Sequence, residues 1–260
     1  MDHEKRRHRF DGLHNFRDFG GYAAGGRRLV TGKLFRSANH AGASDSDLMR
    51  MREMGIGVVV DLRRPSERER QPSRRWEGFA GQVIENNDHD EGAETWDLFM
   101  STWDMTQDSF RGYMDRYYAR APYTPRLVEL YRKYFDALAS SEGGLVVHCA
   151  AGKDRTGLIV ALTHKLAGVH HDDVVADYLL TNDPERFEAF GAVWADGIRQ
   201  ERGFGPTLET MRMVMGVEPA YLERSLAEIE ARSGGVEAYL RDVLGVDAGK
   251  RLAIEQRIFE

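Results

Sequence analysis

The chain has 260 residues, of which 42% are hydrophobic and 30% charged, a balance that suits one large domain with a packed core and a solvated surface. The formal net charge of -6 excludes the domain-wide positive field with which general nucleic-acid binders gather phosphates. A single cysteine excludes an internal disulfide and a zinc site built on several thiolates.

The first ten residues, MDHEKRRHRF, are charged and have no apolar segment, so they lack the pattern of a signal peptide. We predict a solvated basic tail over 1–10, with a disordered basic arm as the alternative, and a single domain over 11–260. No apolar run approaches the ~20 residues that a membrane-spanning helix needs. These features predict a cytoplasmic protein without a transmembrane segment and leave open export by a route that cleaves no signal.

Strand and helix patterns alternate in the first part of the chain. LFRS predicts a short strand at Leu34–Ser37, and SDSDLMRMREMG predicts a helix with Ser44 or Asp45 as N-cap and Gly55 as its stop. IGVVVDLR is a β-branched run that suits a strand buried on both faces, and GQVIENN is a further predicted strand. This order predicts an α/β fold with a central mixed, mostly parallel sheet wrapped by helices.

Residues 88–125 are polar, rich in aromatic side chains and poorly periodic. They predict either a helical lid over the site or a loop, and their aromatic rings either line a substrate slot or pack the lid against the core. TPRLVELYRKYFDALAS then has one apolar stripe at helical spacing, with Pro125 in its first turn. After the predicted strand GLVVHC and helix TGLIVALTHKLAG, we expect a helical C-terminal part over 171–260.

The stretch HCAAGKDRTG holds the only cysteine, Cys149, between that strand and a helix predicted to begin near Thr156. Backbone N–H groups of a tight loop, together with a helix N-terminus, form a cradle for an anion. The same field converts a thiol to a nucleophilic thiolate. We therefore predict that Cys149 is a nucleophile rather than a buried small hydrophobic residue.

Arg155 follows Cys149 by six residues, and a loop of that length can return its guanidinium over the sulfur. The planar fork matches two oxygens of a phosphoryl group and the charge that spreads over them during transfer. A second loop cation, Lys153, favours substrates with more negative charge than one phosphate. The predicted phosphate-binding residues are Ala150, Ala151, Gly152, Lys153 and Arg155.

Two neighbours of this loop have secondary roles in the hypothesis. Thr156 is expected to cap the helix and bring its hydroxyl near the sulfur. His148 either tunes the thiolate through hydrogen bonds or is an ordinary core histidine.

Cys-x5-Arg, preceded by His and followed by Thr-Gly, resembles the signature of cysteine-dependent phosphatases. The fuller HCAAGKDRTG is similar to the loop of bacterial tyrosine/serine protein phosphatases, which is phosphoinositide-phosphatase-like. HNFRDFGGY, KLFRSA, VVDLRRPSERE and GVEPAYLERSLAEIEARSGGVEAYLRDVLGV fit the same family. The resemblance implies a cysteine-phosphatase fold, neither metal nor other cofactor, and a covalent phosphocysteine intermediate.

Departure of the leaving oxygen requires a proton donor. Relatives in the resembled family have an aspartate inside the signature that faces the site, so Asp154 is the first candidate for general acid and later base. Asp61, at the end of a buried strand, is the second. Its alternative role is that of a structural carboxylate paired with Arg17 or Arg63.

The sequence thus predicts a phosphatase for phosphotyrosine, and for phosphoserine, phosphothreonine or phosphoinositide monoesters if its specificity is broad. Its partner is then a phosphorylated protein, peptide or phosphoinositide and not a nucleic acid; the sequence gives no oligomeric state. One alternative is a catalytically weak phosphate-binding module of the same fold. Another is sulfur or arsenate chemistry on a similar loop, which usually requires a second thiol or a sulfur acceptor.

Overall fold

A computed structural model of the chain describes residues 6–88 and 95–260. Predicted features at residues 1–5 of the basic tail and 89–94 of the lid segment lie outside these ranges. The strands of the described residues are, in chain order, β1 Arg17–Asp18, β2 Ala23–Ala24, β3 Arg27–Arg28, β4 Leu34–Ser37, β5 Ile56–Asp61, β6 Gln82–Ile84 and β7 Gly144–His148.

Helices cover the sheet and form most of the second half of the chain. No helix within residues 6–88 and 95–260 is both long and apolar enough to cross a bilayer. The helices are α1 Asp45–Glu53, α2 Pro65–Arg70, α3 Trp96–Thr102, α4 Gln107–Arg120, α5 Pro125–Ser140, α6 Asp154–Ala167, α7 His171–Leu179, α8 Pro184–Arg202, α9 Leu208–Met215, α10 Pro219–Ser233, α11 Val236–Ala238 and α12 Ala248–Ile258.

The central sheet has the strand order β1, β4, β7, β5, β6. β4, β5, β6 and β7 are parallel and β1 is antiparallel, which confirms the mixed, mostly parallel sheet. β7 is buried along its whole length, as expected for a strand with helices on both faces. His148 at the end of β7 pairs with Ser37 of β4 and Asp61 of β5, so three strand ends meet at one edge of the sheet.

Local signals placed several helices correctly. Ser44 caps α1 and forms a capping box with Asp47, and Gly55 after the helix has a φ of 68°. Pro125 begins α5. α6 differs from the prediction because it begins at Asp154, two residues before Thr156. Thr156 is therefore inside the helix and does not cap it, and its buried hydroxyl has no hydrogen-bond partner within the described ranges.

Two helices, α3 and α4, occupy the described part of the predicted lid segment. Their aromatic rings pack against one another: the ring of Phe99 stacks on that of Tyr113 at 4.1 Å, and Trp103 and Phe110 are 6.0 Å apart. All four side chains are buried. The same side chains belong to the main hydrophobic core cluster, so packing between lid and core holds α3 and α4 in place.

A buried ionic cluster lies under the β1–β4 edge of the sheet. Asp177 of α7 accepts hydrogen bonds from Arg6 and Arg36, and Arg17 is 3.8 Å away. Arg6 falls within the predicted solvated tail, yet its side chain is only 6% exposed and also donates to Tyr22. Burial alone would raise the pKa of Asp177, but the surrounding arginines lower it to about 2. Asp177 is thus the anion that neutralises part of a buried positive charge.

We expect Asp177→Asn to destabilise the fold by about 3–5 kcal/mol, because it leaves three buried arginines without their carboxylate. The measurement is the free energy of unfolding in urea. Asp172→Asn, at an exposed position of α7, is the control and should change it by less than about 1 kcal/mol.

The free energy of unfolding of wild type, compared with that of Asp177→Asn, should also depend on pH. The folded-state pKa of Asp177 lies below its ordinary 3.8, so its contribution is complete well above pH 4 and is lost as the pH falls toward 2. The stability difference between wild type and Asp177→Asn should shrink over that window. A constant difference from pH 7 to pH 2 would contradict the assignment.

Candidate active site

Cys149 directly follows β7 at the edge where the three strand ends meet, and it is only 2% exposed. It lies in a cavity of about 230 Å³. The lining includes the loop residues that the sequence singled out, an aromatic wall, and side chains from α2 and α8. Among the lining residues are Cys149, Ala150, Ala151, Lys153, Asp154, Arg155, Glu67, Trp96, Tyr113, Tyr117, Arg186 and Trp194.

The loop after Cys149 is held by hydrogen bonds to its carbonyl oxygens. Asn39 donates its backbone N–H and its side-chain amide to the Ala150 oxygen, at 3.0 and 3.1 Å. The Asn15 amide donates to Ala151 at 3.1 Å and to Gly152 at 2.9 Å. Arg36, from the buried cluster, donates to the Gly152 oxygen at 3.0 Å.

These contacts orient the peptide planes of the loop. The N–H and C=O of a trans peptide point in opposite directions. With the oxygens of Ala150, Ala151 and Gly152 bonded on the outer side, the N–H groups of Ala151, Gly152 and Lys153 point away from those partners, and Ala151 and Lys153 line the cavity. Such a row of backbone N–H groups is an anion-binding arrangement. It is supplemented by the N-terminus of α6.

Glycine is required at position 152. Its φ is 68°, in the region that L-residues rarely adopt, and a Cβ at this position would clash with the carbonyl group of Ser37. The loop therefore packs directly against the end of β4.

The guanidinium of Arg155 is fixed by Glu67, which the sequence analysis did not single out. Nη1 and Nη2 of Arg155 donate to the two carboxylate oxygens of Glu67 at 2.6 and 2.7 Å, and Nη1 also donates to the Leu62 oxygen. Nε and the second N–H of Nη2 remain to bind two oxygens of one ligand. Glu67 lies within the family-like stretch VVDLRRPSERE, but Arg155, its partner, is distant from it in the sequence.

The electrostatics of this pair follow from its burial. Burial disfavours both charges, but Arg155 lowers the pKa of Glu67 to about 2, and Glu67 raises the pKa of Arg155 above its usual range. Glu67 also accepts the backbone N–H of Arg64 at 2.7 Å, at the start of α2. Both members of the pair are therefore ionised and oriented before any ligand binds.

Asp154 is in the first turn of α6 and lines the same cavity as Cys149. Its Oδ1 accepts a hydrogen bond from Tyr118 at 2.7 Å, and the Tyr118 hydroxyl is 2.6 Å from that of Tyr178. Oδ2 is 3.8 Å from Nζ of Lys153. One carboxylate oxygen is thus positioned by a buried tyrosine pair, while the side chain remains partly exposed.

Asp61 has a different environment. Its carboxylate forms a bidentate pair with Arg63, at 2.9 Å to Nε and 2.7 Å to Nη2, and Arg17 pairs elsewhere. Burial would raise the pKa of Asp61, but His148 and Arg63 hold it well below its usual range. Asp61 lies outside the lining of the cavity that contains Cys149. These contacts match the alternative of a structural carboxylate.

His148 is fully buried and stacks on His40, with ring centroids 4.1 Å apart. Burial lowers its pKa to about 4, despite the opposing effect of Asp61, so the ring is neutral near pH 7. Its Nδ1 is 3.4 Å from the Cys149 carbonyl oxygen. These contacts fit a core histidine behind the loop.

The side chain of Lys153 turns toward the C-terminal end of α9. Nζ donates to the carbonyl oxygens of Val214 at 2.5 Å and Gly216 at 3.1 Å, and burial lowers its pKa. A cation at this position complements the helix dipole. Its charge thus joins the loop to α9, while its backbone N–H belongs to the anion cradle.

Comparison with known proteins gives one family match and matches to individual proteins. A model of the tyrosine phosphatase family matches residues 8–260. The chain is 34% identical to a putative tyrosine-protein phosphatase of Cupriavidus necator, over 93% of this chain and 85% of that protein. It is 29% identical to the triple specificity protein phosphatase PtpB of Mycobacterium tuberculosis, over 89% and 91%. The crystal structure of P. aeruginosa TpbA covers 71% of this chain and 86% of that chain, with 15% identity and a TM-score of 0.34.

The Arg155–Glu67 pair leads to a binding prediction. Glu67→Gln removes the charge that orients the guanidinium, so affinity for inorganic phosphate should fall about tenfold. Calorimetric titration of each protein with phosphate measures the change in affinity. Glu69→Gln, on the exposed side of the same helix, is the control and should bind like wild type. Equal phosphate affinity in Glu67→Gln and wild type would show that this pair does not position the binding groups.

Proposed function

Since the chain belongs to the tyrosine phosphatase family, we propose that it hydrolyses phosphotyrosine in proteins or peptides through a phosphocysteine intermediate. The observation that carries the proposal is that Cys149, Asp154 and Arg155 line one cavity together with Ala150, Ala151 and Lys153 of the same loop. Phosphoserine, phosphothreonine and phosphoinositide monoesters are secondary candidate substrates. The name of the M. tuberculosis relative, a triple specificity phosphatase, supports including them in tests.

The first step transfers the phosphoryl group to sulfur. The free N–H groups of Arg155 and the loop amides bind the phosphate oxygens and stabilise the charge that spreads over them. The Cys149 thiolate attacks phosphorus, an S–P bond forms and the bond to the leaving oxygen breaks. Asp154, protonated at this stage, gives its proton to that oxygen.

The second step restores the enzyme. Asp154 is now a carboxylate and removes a proton from a water molecule, which attacks phosphorus as the S–P bond breaks. Inorganic phosphate leaves and Cys149 returns to the thiolate. The Tyr118 hydroxyl, bonded to Oδ1 of Asp154, keeps the carboxyl group in place through both steps.

The wall of the cavity favours an aromatic leaving group. Trp96, Tyr113 and Tyr117 line it, and aromatic side chains pack well against a phenyl ring. Phosphoserine would leave this apolar surface uncovered. The wall therefore supports phosphotyrosine as the principal substrate.

The position of Asp154 supports it as the general acid over Asp61. Asp154 shares the cavity with Cys149, whereas both oxygens of Asp61 are engaged by Arg63. An acid must reach the leaving oxygen, and a carboxylate held in a bidentate ion pair cannot readily carry a proton.

We expect Cys149→Ser to lower kcat for p-nitrophenyl phosphate by at least about 10³-fold, because a serine hydroxyl is a far weaker nucleophile at neutral pH. Turnover of purified protein measures it, and retained phosphate binding shows that the variant is folded. Equal rates in the two proteins would refute the mechanism. If the wild type binds phosphopeptides without turnover, the chain is instead a phosphate-binding module.

We expect the loss of kcat in Asp154→Asn to depend on the leaving group of the substrate. Hydrolysis of phosphotyrosine peptides should fall about 10²–10⁴-fold, and that of p-nitrophenyl phosphate less, since p-nitrophenolate departs without a proton. Values of kcat for both substrates give the ratio. Asp61→Asn should affect the two substrates equally. If Asp61→Asn shows the leaving-group dependence and Asp154→Asn does not, the assignment of the acid is wrong.

A further inference from the structure

Arg186, in the first turn of α8, is a cation of the active-site cavity that the proposed reaction leaves unused. Its Nη1 is buried and has no hydrogen-bond partner among the described residues. A buried N–H of a charged group without an acceptor is unfavourable and rare in native proteins. An acceptor supplied by a ligand would satisfy it.

Three other cations line the cavity, Arg155, Lys153 and Arg64, and the first two are already committed. Arg155 gives three N–H groups to Glu67 and Leu62 and is needed for the transferred phosphate. Lys153 gives its Nζ to the carbonyls of Val214 and Gly216. The sequence predicted a second substrate anion at Lys153, but its Nζ bonds to the end of α9. Nη1 of Arg186 is instead a buried donor that lacks a partner within residues 6–88 and 95–260.

The electrostatic surroundings of Arg186 connect it to the reacting groups. Burial lowers its pKa, while the charges of Asp154 and Cys149 oppose that change. Arg186 is therefore within the field of both the nucleophile and the general acid. An anion bound to it would lie close to the phosphate of a substrate.

Arg186 also stands at a junction of cavities. It lines one of about 480 Å³ beside α9 and another of about 540 Å³ beside the N-terminal segment. A phosphotyrosine side chain in the catalytic cavity leaves its neighbours in the peptide near this junction. The two flanking cavities give the chain space in both directions.

We propose that Arg186 binds the carboxylate of one acidic residue adjacent to the phosphotyrosine of a peptide substrate. The proposal rests on the phosphotyrosine activity proposed above. A single carboxylate fits better than a strongly anionic surface, such as a membrane rich in phosphoinositides. The neighbouring cavity is lined by four acidic and three basic side chains, so it lacks the excess positive charge that attracts such a surface. These side chains are Asp183, Glu188, Glu209, Glu218, Arg111, Arg186 and Arg212.

The test compares phosphotyrosine peptides that differ at one position. The varied positions are the two residues before and the two residues after phosphotyrosine. In each peptide one of these positions is Glu or its neutral isostere Gln, and the other positions are alanine. For wild type we expect kcat/KM to favour Glu about tenfold at one position, mainly through KM. Arg186→Met should reduce that Glu/Gln ratio to about one, and Arg186→Lys should retain part of it.

Arg199→Met is the matched control. Arg199 is on the same helix, is half exposed and pairs with Asp196, so its loss should leave both the activity and the Glu/Gln ratio as in wild type. Circular dichroism and the melting temperature of each variant report folding. Arg186→Lys supplies a second variant if Arg186→Met is unfolded.

Three outcomes would overturn the proposal. The first is the same Glu/Gln ratio in wild type and Arg186→Met. The second is a larger loss on p-nitrophenyl phosphate and inorganic phosphate than on the Glu peptides, which would make Arg186 a ligand of the transferred phosphate. The third is a loss confined to soluble inositol phosphates with two phosphates, which would assign the subsite to a second phosphate.

Failure of the broader proposal has a separate signature. If Cys149→Ser hydrolyses every peptide as fast as wild type, the phosphatase mechanism fails. If wild type hydrolyses all the peptides and its Glu/Gln ratio of kcat/KM is the same as that of Arg186→Met, only the inference about Arg186 is wrong.

Discussion

The hydrogen bonds to the carbonyl oxygens of the loop after Cys149 are the constraint on which the site depends. Asn39, Asn15 and Arg36 hold three successive oxygens from outside. Because each held oxygen fixes a peptide plane, the opposite N–H groups converge on one place. A loop free to rotate its peptides would present oxygens to a phosphate as often as N–H groups, and it would not form an anion site.

This constraint is coupled to the fold through buried charge. Arg36 has one guanidinium nitrogen on the loop and the other on Asp177 of α7. Arg6 and Arg17 surround the same carboxylate. The cluster thus supports the loop mechanically and places excess positive charge behind it, which favours a bound anion. Stability and anion binding share these residues.

The cations in or beside the cavity have separate tasks because their partners differ. Glu67 holds Arg155 in a fork with donors left for one phosphate. The carbonyls at the end of α9 hold Lys153, so the loop and α9 are joined. Arg186 retains a donor, Nη1, that has no partner in the part of the chain that the structure describes. Charge near a site therefore reveals little about binding until the partners of each side chain are known.

Sequence alone determined the features that depend on short range. The spacing of Cys149 and Arg155, the mixed, mostly parallel sheet, a cap at Ser44 or Asp45 and the start of α5 all follow from local pattern, since turns, caps and periodicity involve near neighbours. Only the tertiary structure decided that Glu67 orients Arg155, that Arg63 forms the ion pair with Asp61, and that Arg186 lines the cavity. The first and last of these contacts join elements distant in the chain, and the pairing of Asp61 was one of several that the sequence allowed. Packing, rather than residue spacing, selects among such partners.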